Sequence, residues 1–269
     1  NIINIYGISQ EPNTNNYIIV LDYAEGGKFD KWMNKNYKNF YWLCKLNVLL
    51  NIINSLKEIH QKGMVHCDFH TGNILFLKDN ICDLGNDILI SDMGLCGKVS
   101  NINNTNEIKI YGVIPYIAPE VLRGKPYSQA ADIYSFGMIM YFTATEKQPF
   151  SNRAHDEFLV LDICNEIRPE INEPEAPKCY INLMKKCWDS NSNNRPNAIE
   201  IEKEISSFYT SCNSILGQRN YFKVAEEYRK FFKRNKQITH PQAIYTSSLL
   251  LNPFTIKNIS DYLDCAIPD

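Results

Sequence analysis

The spacing of apolar residues along this chain alternates between strand-like and helical periods, and each change predicts an element. Ile2 to Ile8 and Tyr17 to Tyr23 are short apolar runs separated by Glu11-Pro12-Asn13. Proline and asparagine break regular structure there, while Tyr17-Ile18-Ile19-Val20-Leu21 is β-branched and reads as a buried strand. Gly26-Gly27 ends the extended stretch, and a short helix is predicted over Phe29 to Asn34. From Trp42 to Lys62 the positions Leu46, Leu49, Leu50, Ile53, Leu56 and Ile59 fall at helical spacing. Gly63 follows as a helix stop. The chain then returns to strand-like runs between Met64 and Gly94: M-V-H-C-D-F-H-T-G-N-I-L-F-L, a polar turn, and I-L-I-S-D-M-G.

Lys98 to Lys109 is polar, rich in Asn and Ser and without period, and reads as a mobile loop closing at Y-G-V-I-P-Y-I-A-P-E. Asp132 to Thr145 is apolar almost all round, the mark of a buried central helix. Further helices are predicted over His155 to Glu166, Pro177 to Trp188 and Pro196 to Tyr209, the last two separated by the Asn191 to Asn194 turn. Asn220 to Lys236 predicts a basic helix with Tyr221, Val224, Tyr228, Phe231 and Phe232 as its packing face. After Gln237 the composition predicts a loosely ordered tail.

The chain has 269 residues, a 44% hydrophobic fraction and 28 basic against 30 acidic residues. That is enough apolar material for a core, and no charge excess points to nucleic acid. No apolar run reaches the ~18 residues of a membrane span, and the start lacks the pattern of a signal peptide. These features predict neither nucleic-acid nor membrane partners and leave oligomeric state open. The nine cysteines are scattered without a C-x-x-C pair, which predicts reduced thiols in the cytosol or nucleus. The chemistry concentrates between Met64 and Gly94. Asp68 and Asp92 each follow a strand-like run, and Asn73 stands five residues after Asp68. Such an oxygen-only set suits magnesium, which takes one or two carboxylates plus substrate phosphates.

These motifs resemble a eukaryotic protein kinase domain. His66-Cys67-Asp68 with Asn73 matches H-R-D-x-x-x-x-N, Asp92-Met93-Gly94 matches D-F-G, and Ala118-Pro119-Glu120 matches A-P-E, in family order. Asp132-Ile133-Tyr134-Ser135-Phe136-Gly137 resembles the family's D-x-x-S-F-G. The wording is closest to the tyrosine-kinase-like group, in particular the expanded sets of some fungi. The resemblance implies an α+β, protein-kinase-like fold, mainly the helical C-lobe with only the last strands of the N-lobe. It covers residues 1–208, leaving residues 209–269 as an extension. It implies ATP and Mg2+ as cofactors and a protein substrate in signal transduction, with transfer to Ser or Thr favoured over Tyr. Asp68 would accept the hydroxyl proton, and Asn73 and Asp92 would hold the metal. The backbone of Asp22, Tyr23 and Ala24 would bind adenine, with Leu21 as gatekeeper and Leu75 also in the nucleotide site. Glu120 and Arg195 would form a buried structural ion pair, and His66 would be a core histidine.

Departures from the family pattern qualify these expectations. No G-x-G-x-x-G and no V-A-I-K occurs, and the chain opens in apolar sequence without methionine. The expectation is therefore a piece of a longer kinase or a truncated pseudokinase serving as a scaffold, binding nucleotide weakly by itself. Cys67 replaces the loop arginine, which implies less dependence on a phosphorylated activation loop; Ser100, Thr105 and Tyr111 are its hydroxyls. His70 stands where a lysine usually approaches the transferred phosphate, a role that requires a protonated ring. Val113 replaces a threonine that commonly bonds the catalytic Asp. H-C-D-F-H-T-G-N also resembles small-molecule phosphotransferases, but those lack an A-P-E segment.

Overall fold

The computed structural model describes residues 2–79, 87–98, 110–213, 221–231 and 239–250. Two antiparallel strands, β1 (Ile5–Gln10) and β2 (Tyr17–Leu21), open the chain as a hairpin. The short β3 (Gly27–Lys28) leads into α1 (Phe29–Asn36), and α2 (Trp42–Gln61) follows. Gly63, at φ 69°, ends α2 as its sequence position predicts. Next come β4 (Met64–Val65), β5 (Ile74–Phe76), β6 (Ile88–Ile90), β7 (Gly97–Lys98) and β8 (Ile110–Gly112). The helices α3 (Pro119–Leu122), α4 (Gln129–Thr145), α5 (Glu157–Cys164), α6 (Lys178–Cys187), α7 (Ala198–Asn213) and α8 (Tyr221–Phe231) complete the helical part, and β9 (Ser248–Leu250) ends the described chain.

The core lies between α2 and α4. Leu46, Leu49, Ile53, Leu56 and Ile59 of α2 are all buried, as their spacing predicts. Every residue of α4 from Ala131 to Thr145 is buried, so this is the central helix that its all-round apolar pattern requires. Three of its hydroxyls are satisfied by backbone carbonyls, Ser135 donating to Tyr116, Thr143 to Ile139 and Thr145 to Tyr141. Trp32 stacks on Phe76 at 4.0 Å and donates its indole N–H to the Lys78 carbonyl, which fastens α1 to β5.

Two antiparallel pairings fix the site. In the sheet ordered β3-β5-β6, Ile74 lies opposite Ile90 and Phe76 opposite Ile88. The residues flanking that pair, Asn73 and Ser91, are thereby brought together. β4 pairs with β7, setting Val65 against Gly97 and drawing the Asp92 loop beside the start of the Asp68 loop.

Four expectations are corrected. β2 is not buried: its side chains are 43% exposed at Leu21 and up to 75% at Tyr17, because the hairpin pairs only with itself among the described residues. β-branched composition reports fit to a sheet, not which face is covered. α7 runs on to Asn213, past the end at Tyr209 that the pattern predicts. α8 packs through Phe222 and Ala225, while Tyr221, Val224 and Phe231 are exposed. Phe222 meets Trp42 at 5.3 Å and Phe208 at 5.9 Å, and Glu226 accepts from the Trp42 amide, so the docked face is turned from the predicted one. Finally, residues 239–250 are not a loose tail; they pack across the site. Ser100, Thr105 and Phe232 lie outside the described residues.

Candidate active site

The loop from His66 to Asn73 is built on a buried carboxylate. Asp132, in the first turn of α4, accepts from the amides of His66 (2.9 Å) and Cys67 (3.2 Å) and meets His60 Nε2 at 2.9 Å. Those bonds hold Cys67 at φ 70°, a conformation uncommon for a residue with a Cβ. His66 Nδ1 accepts from the Asp68 amide (3.3 Å), which leaves Nε2–H to donate to the Ser91 carbonyl (3.1 Å). Burial lowers the pKa of this ring, as a neutral histidine with both nitrogens committed requires. His66 is thus a core histidine beneath the site. Burial also pushes the Cys67 thiol up, so it is a small apolar filler where the family has an arginine.

Asp68 stands at the centre and is buried. Its Oδ2 accepts from Asn73 Nδ2 (3.2 Å) and from the Ser247 hydroxyl (2.6 Å), and its Oδ1 lies 3.5 Å from His70 Nε2. Burial raises the carboxyl pKa, but the hydrogen bonds from His70, Ser247 and Asn73 outweigh it, and the net shift is downward. The group is ionised at neutral pH and can accept a proton. His70 Nδ1 accepts from the Gly72 amide (3.1 Å), which leaves Nε2–H to donate to the Ser247 oxygen (2.9 Å). The ring lies so close over Gly72 that a Cβ there would meet His70 Cε1 at 2.6 Å. In this arrangement His70 is a directed donor to a hydroxyl, not the doubly protonated ring that a lysine-like role requires.

Asn73 spends its amide nitrogen on Asp68, bonding both the carbonyl (2.9 Å) and the carboxylate. Its side-chain oxygen is left as the atom that would face a cation. Ser91 holds the Asn73 backbone carbonyl through its amide (2.9 Å) and hydroxyl (3.2 Å). Asp92 follows directly, in the left-handed region at φ 60°, with an exposed side chain. An amide oxygen and an unburied carboxylate on two stitched loops are hard donors that fit a magnesium ion completed by water and phosphate. Among the described residues no group of three or more His, Cys, Asp and Glu side chains is gathered in a way that could hold a metal ion.

The residues expected to face a nucleotide are less closely gathered. Leu75 is half-buried in β5, between Lys28 of β3 and Leu89 of β6. Of the backbone groups expected to bind adenine, the Asp22 amide already donates to Asn4 (3.2 Å) and the Ala24 carbonyl accepts from Gly27 (3.0 Å). The Asp22 carboxylate also accepts from Tyr6 (2.6 Å) and the Asn4 amide, and those bonds lower its pKa. Leu21 is part of the exposed hairpin, and Tyr23 is more exposed still.

Beyond the loop, the A-P-E segment is anchored by Glu120 and Arg195, joined by two 2.7 Å hydrogen bonds. Arg195 also donates to the Asp189 and Ala130 carbonyls and lies over the Tyr134 ring. Val113 is buried beside Asp68 and offers it no hydrogen bond. A second anchor is not legible in the sequence. Tyr116 donates to Gln148 (2.6 Å), and Gln148 donates to Thr71 (3.1 Å) within the loop itself. Nor does any motif point to Ser247.

The sequence model for the protein kinase domain matches residues 1–205. Among similar curated proteins, a probable serine/threonine-protein kinase of Dictyostelium discoideum, kinX, is 25% identical over 218 residues, or 80% of this chain. The serine/threonine-protein kinase mos of Patiria pectinifera is 28% identical over 188 residues, or 68% of the chain. Receptor-interacting serine/threonine-protein kinase 1 of Homo sapiens is 28% identical over 225 residues, or 78%. The matches cover 19%, 52% and 32% of those proteins respectively, so each relative is much longer than the shared part. The buried Asp68 loop, the stitched Asn73 and Asp92, and the anchored A-P-E segment agree with that match, and the chain belongs to the protein kinase domain family of phosphotransferases.

Proposed function

We propose that this domain transfers the γ-phosphoryl group of ATP to a serine or threonine hydroxyl of a protein, as one step of a signalling cascade. One observation carries the reading. Asn73 binds Asp68 through its nitrogen while its backbone is stitched to Ser91, so the proton acceptor and both cation ligands share one rigid frame. Phosphoryl transfer asks for this kind of positioning and for little covalent work by the protein. Asp68 accepts the proton of the incoming hydroxyl. His70 Nε2–H orients that hydroxyl's oxygen, and Asp132 keeps the loop amides in place. A magnesium ion bound by Asn73 and Asp92 would neutralise charge on the phosphates. Leu21, Leu75 and those backbone groups of Asp22 to Ala24 that are not already paired would form the adenine side. The small-molecule phosphotransferase alternative has no counterpart for the Glu120–Arg195 anchor and the protein kinase match. The motif wording supports the tyrosine-kinase-like group, and scattered thiols support the cytosol or nucleus.

Asp68→Asn in the full-length protein tests the reading. It keeps the volume and removes the proton acceptor, so labelled phosphate incorporation into an added basic protein should fall by ~10²–10⁴-fold. Undiminished incorporation would remove Asp68 from the base role.

A further inference from the structure

We propose that residues 239–250 are an internal substrate and that Ser247 is a phosphorylation site modified by its own domain. This rests on the phosphotransferase reading above and adds a substrate to it. The segment crosses the site along a defined path. His240 donates its amide to Ser151 (2.9 Å), and His155 donates its own to Gln242 (3.0 Å). The Ile244 amide donates to His155 Nδ1 (3.1 Å). Tyr245 packs edge-on against the His155 ring at 4.8 Å and donates to the Pro149 carbonyl (2.8 Å). On the far side β9 pairs antiparallel with β8, setting Ser248 opposite Gly112 and Leu250 opposite Ile110. Strand addition to a segment edge is a recurring way of binding an extended peptide. Between these two anchorages stands Ser247, 179 residues from Asp68 in sequence and 2.6 Å from its carboxylate.

The hydroxyl is held as a nucleophile should be. Its proton points to Asp68 Oδ2, and its oxygen accepts from His70 Nε2. Its neighbours Thr246 and Ser248 are also hydroxyls, but successive residues of an extended strand face opposite ways, and it is Ser247 that meets the base. In the reaction the Ser247 oxygen forms a bond to the γ-phosphorus of a nucleoside triphosphate. The bond from that phosphorus to the β–γ bridging oxygen breaks, its electron pair leaves with the diphosphate, and the hydroxyl proton passes to Asp68. Once Asp68 has released that proton to solvent, the product carries roughly −1.5 to −2 charges beside the ionised carboxylate, so like-charge repulsion drives the segment out. While unmodified the segment blocks the groove, and its own modification opens the groove to other proteins.

The test uses full-length protein stripped of phosphate, then incubated with magnesium ATP and an added basic protein. Phosphate sites are mapped by mass spectrometry. Because the acceptor is tethered, Ser247 should be modified at a rate unchanged across an about 100-fold dilution. The amides of His240 and Ile244 should exchange with solvent slowly before ATP is added and fast afterwards. Ser247→Ala should keep them slow and hold phosphorylation of the added protein below that of the self-modified parent. Phosphate on the added protein but none on Ser247, or a Ser247 rate that scales with concentration, would overturn this inference alone. So would fast exchange at those amides before any ATP. Phosphate on neither acceptor would overturn it together with the kinase reading.

Discussion

Replacing Glu120 by alanine strands Arg195 in the interior, and its cost can be worked from the contacts. Glu120 accepts two 2.7 Å hydrogen bonds from a guanidinium whose side chain is fully shielded from water. Breaking one half of a buried pair costs about 3–5 kcal/mol, because the remaining charge is neither paired nor hydrated. Arg195 keeps its bonds to Asp189 and Ala130 and its seat over the Tyr134 ring, which argues for the lower end, about 3 kcal/mol. For a chain of this size a urea slope of about 3 kcal/mol/M converts that cost into a midpoint lowered by roughly 1 M. The assay is urea unfolding followed by tryptophan fluorescence, with Glu120→Ala beside the double variant Glu120→Ala/Arg195→Met. The double variant should lose less than the single one, since removing both charges leaves nothing stranded. A single-variant shift below about 0.3 M, or a double-variant shift equal to the sum of the two single variants, would refute the reasoning.

Two further outcomes follow from the same geometry. Burial lowers the pKa of both His66 and His155, so the unfolded chain, with a histidine pKa of about 6.5, takes up protons before the folded one does. Their contribution is complete above about pH 6.5 and is lost as pH falls toward the folded values, so the urea midpoint should drop between about pH 7.5 and 5.5; a rise over that interval would contradict the burial argument. Gly72→Ala places a Cβ 2.6 Å from His70 Cε1 and should push the ring off the acceptor hydroxyl. One lost hydrogen bond predicts a kcat lower by about tenfold, with a smaller midpoint change than Glu120→Ala; an unchanged kcat would show that His70 does not act on the hydroxyl.

Legibility along the chain follows the distance over which each feature is decided. The period of α2, the all-round apolar face of α4 and the stop at Gly63 depend on residues a few positions apart, and they stand where the pattern puts them. The Asp68–Asn73 pair is equally local, because the loop closes on itself within five residues. The exposure of β2 is not legible, because a run of β-branched residues carries no information about whether another layer covers it. The docked face of α8 is not legible for a related reason. Its sequence offers two apolar faces, and contact with Trp42 and Phe208 on other helices selects the one bearing Phe222 and Ala225.

The family, the order of its motifs and the period of its main helices are legible in the sequence. All are written in short stretches whose chemistry is self-contained. Only the tertiary structure decided that Asp132, 66 residues from His66, holds the loop amides. It likewise turned His70 into a donor aimed at a hydroxyl and brought Ser247 onto Asp68 across 179 residues. The physical reason is the same in each case. A hydrogen bond between distant residues depends on where the folded chain carries them, and neither partner's immediate neighbours record that position.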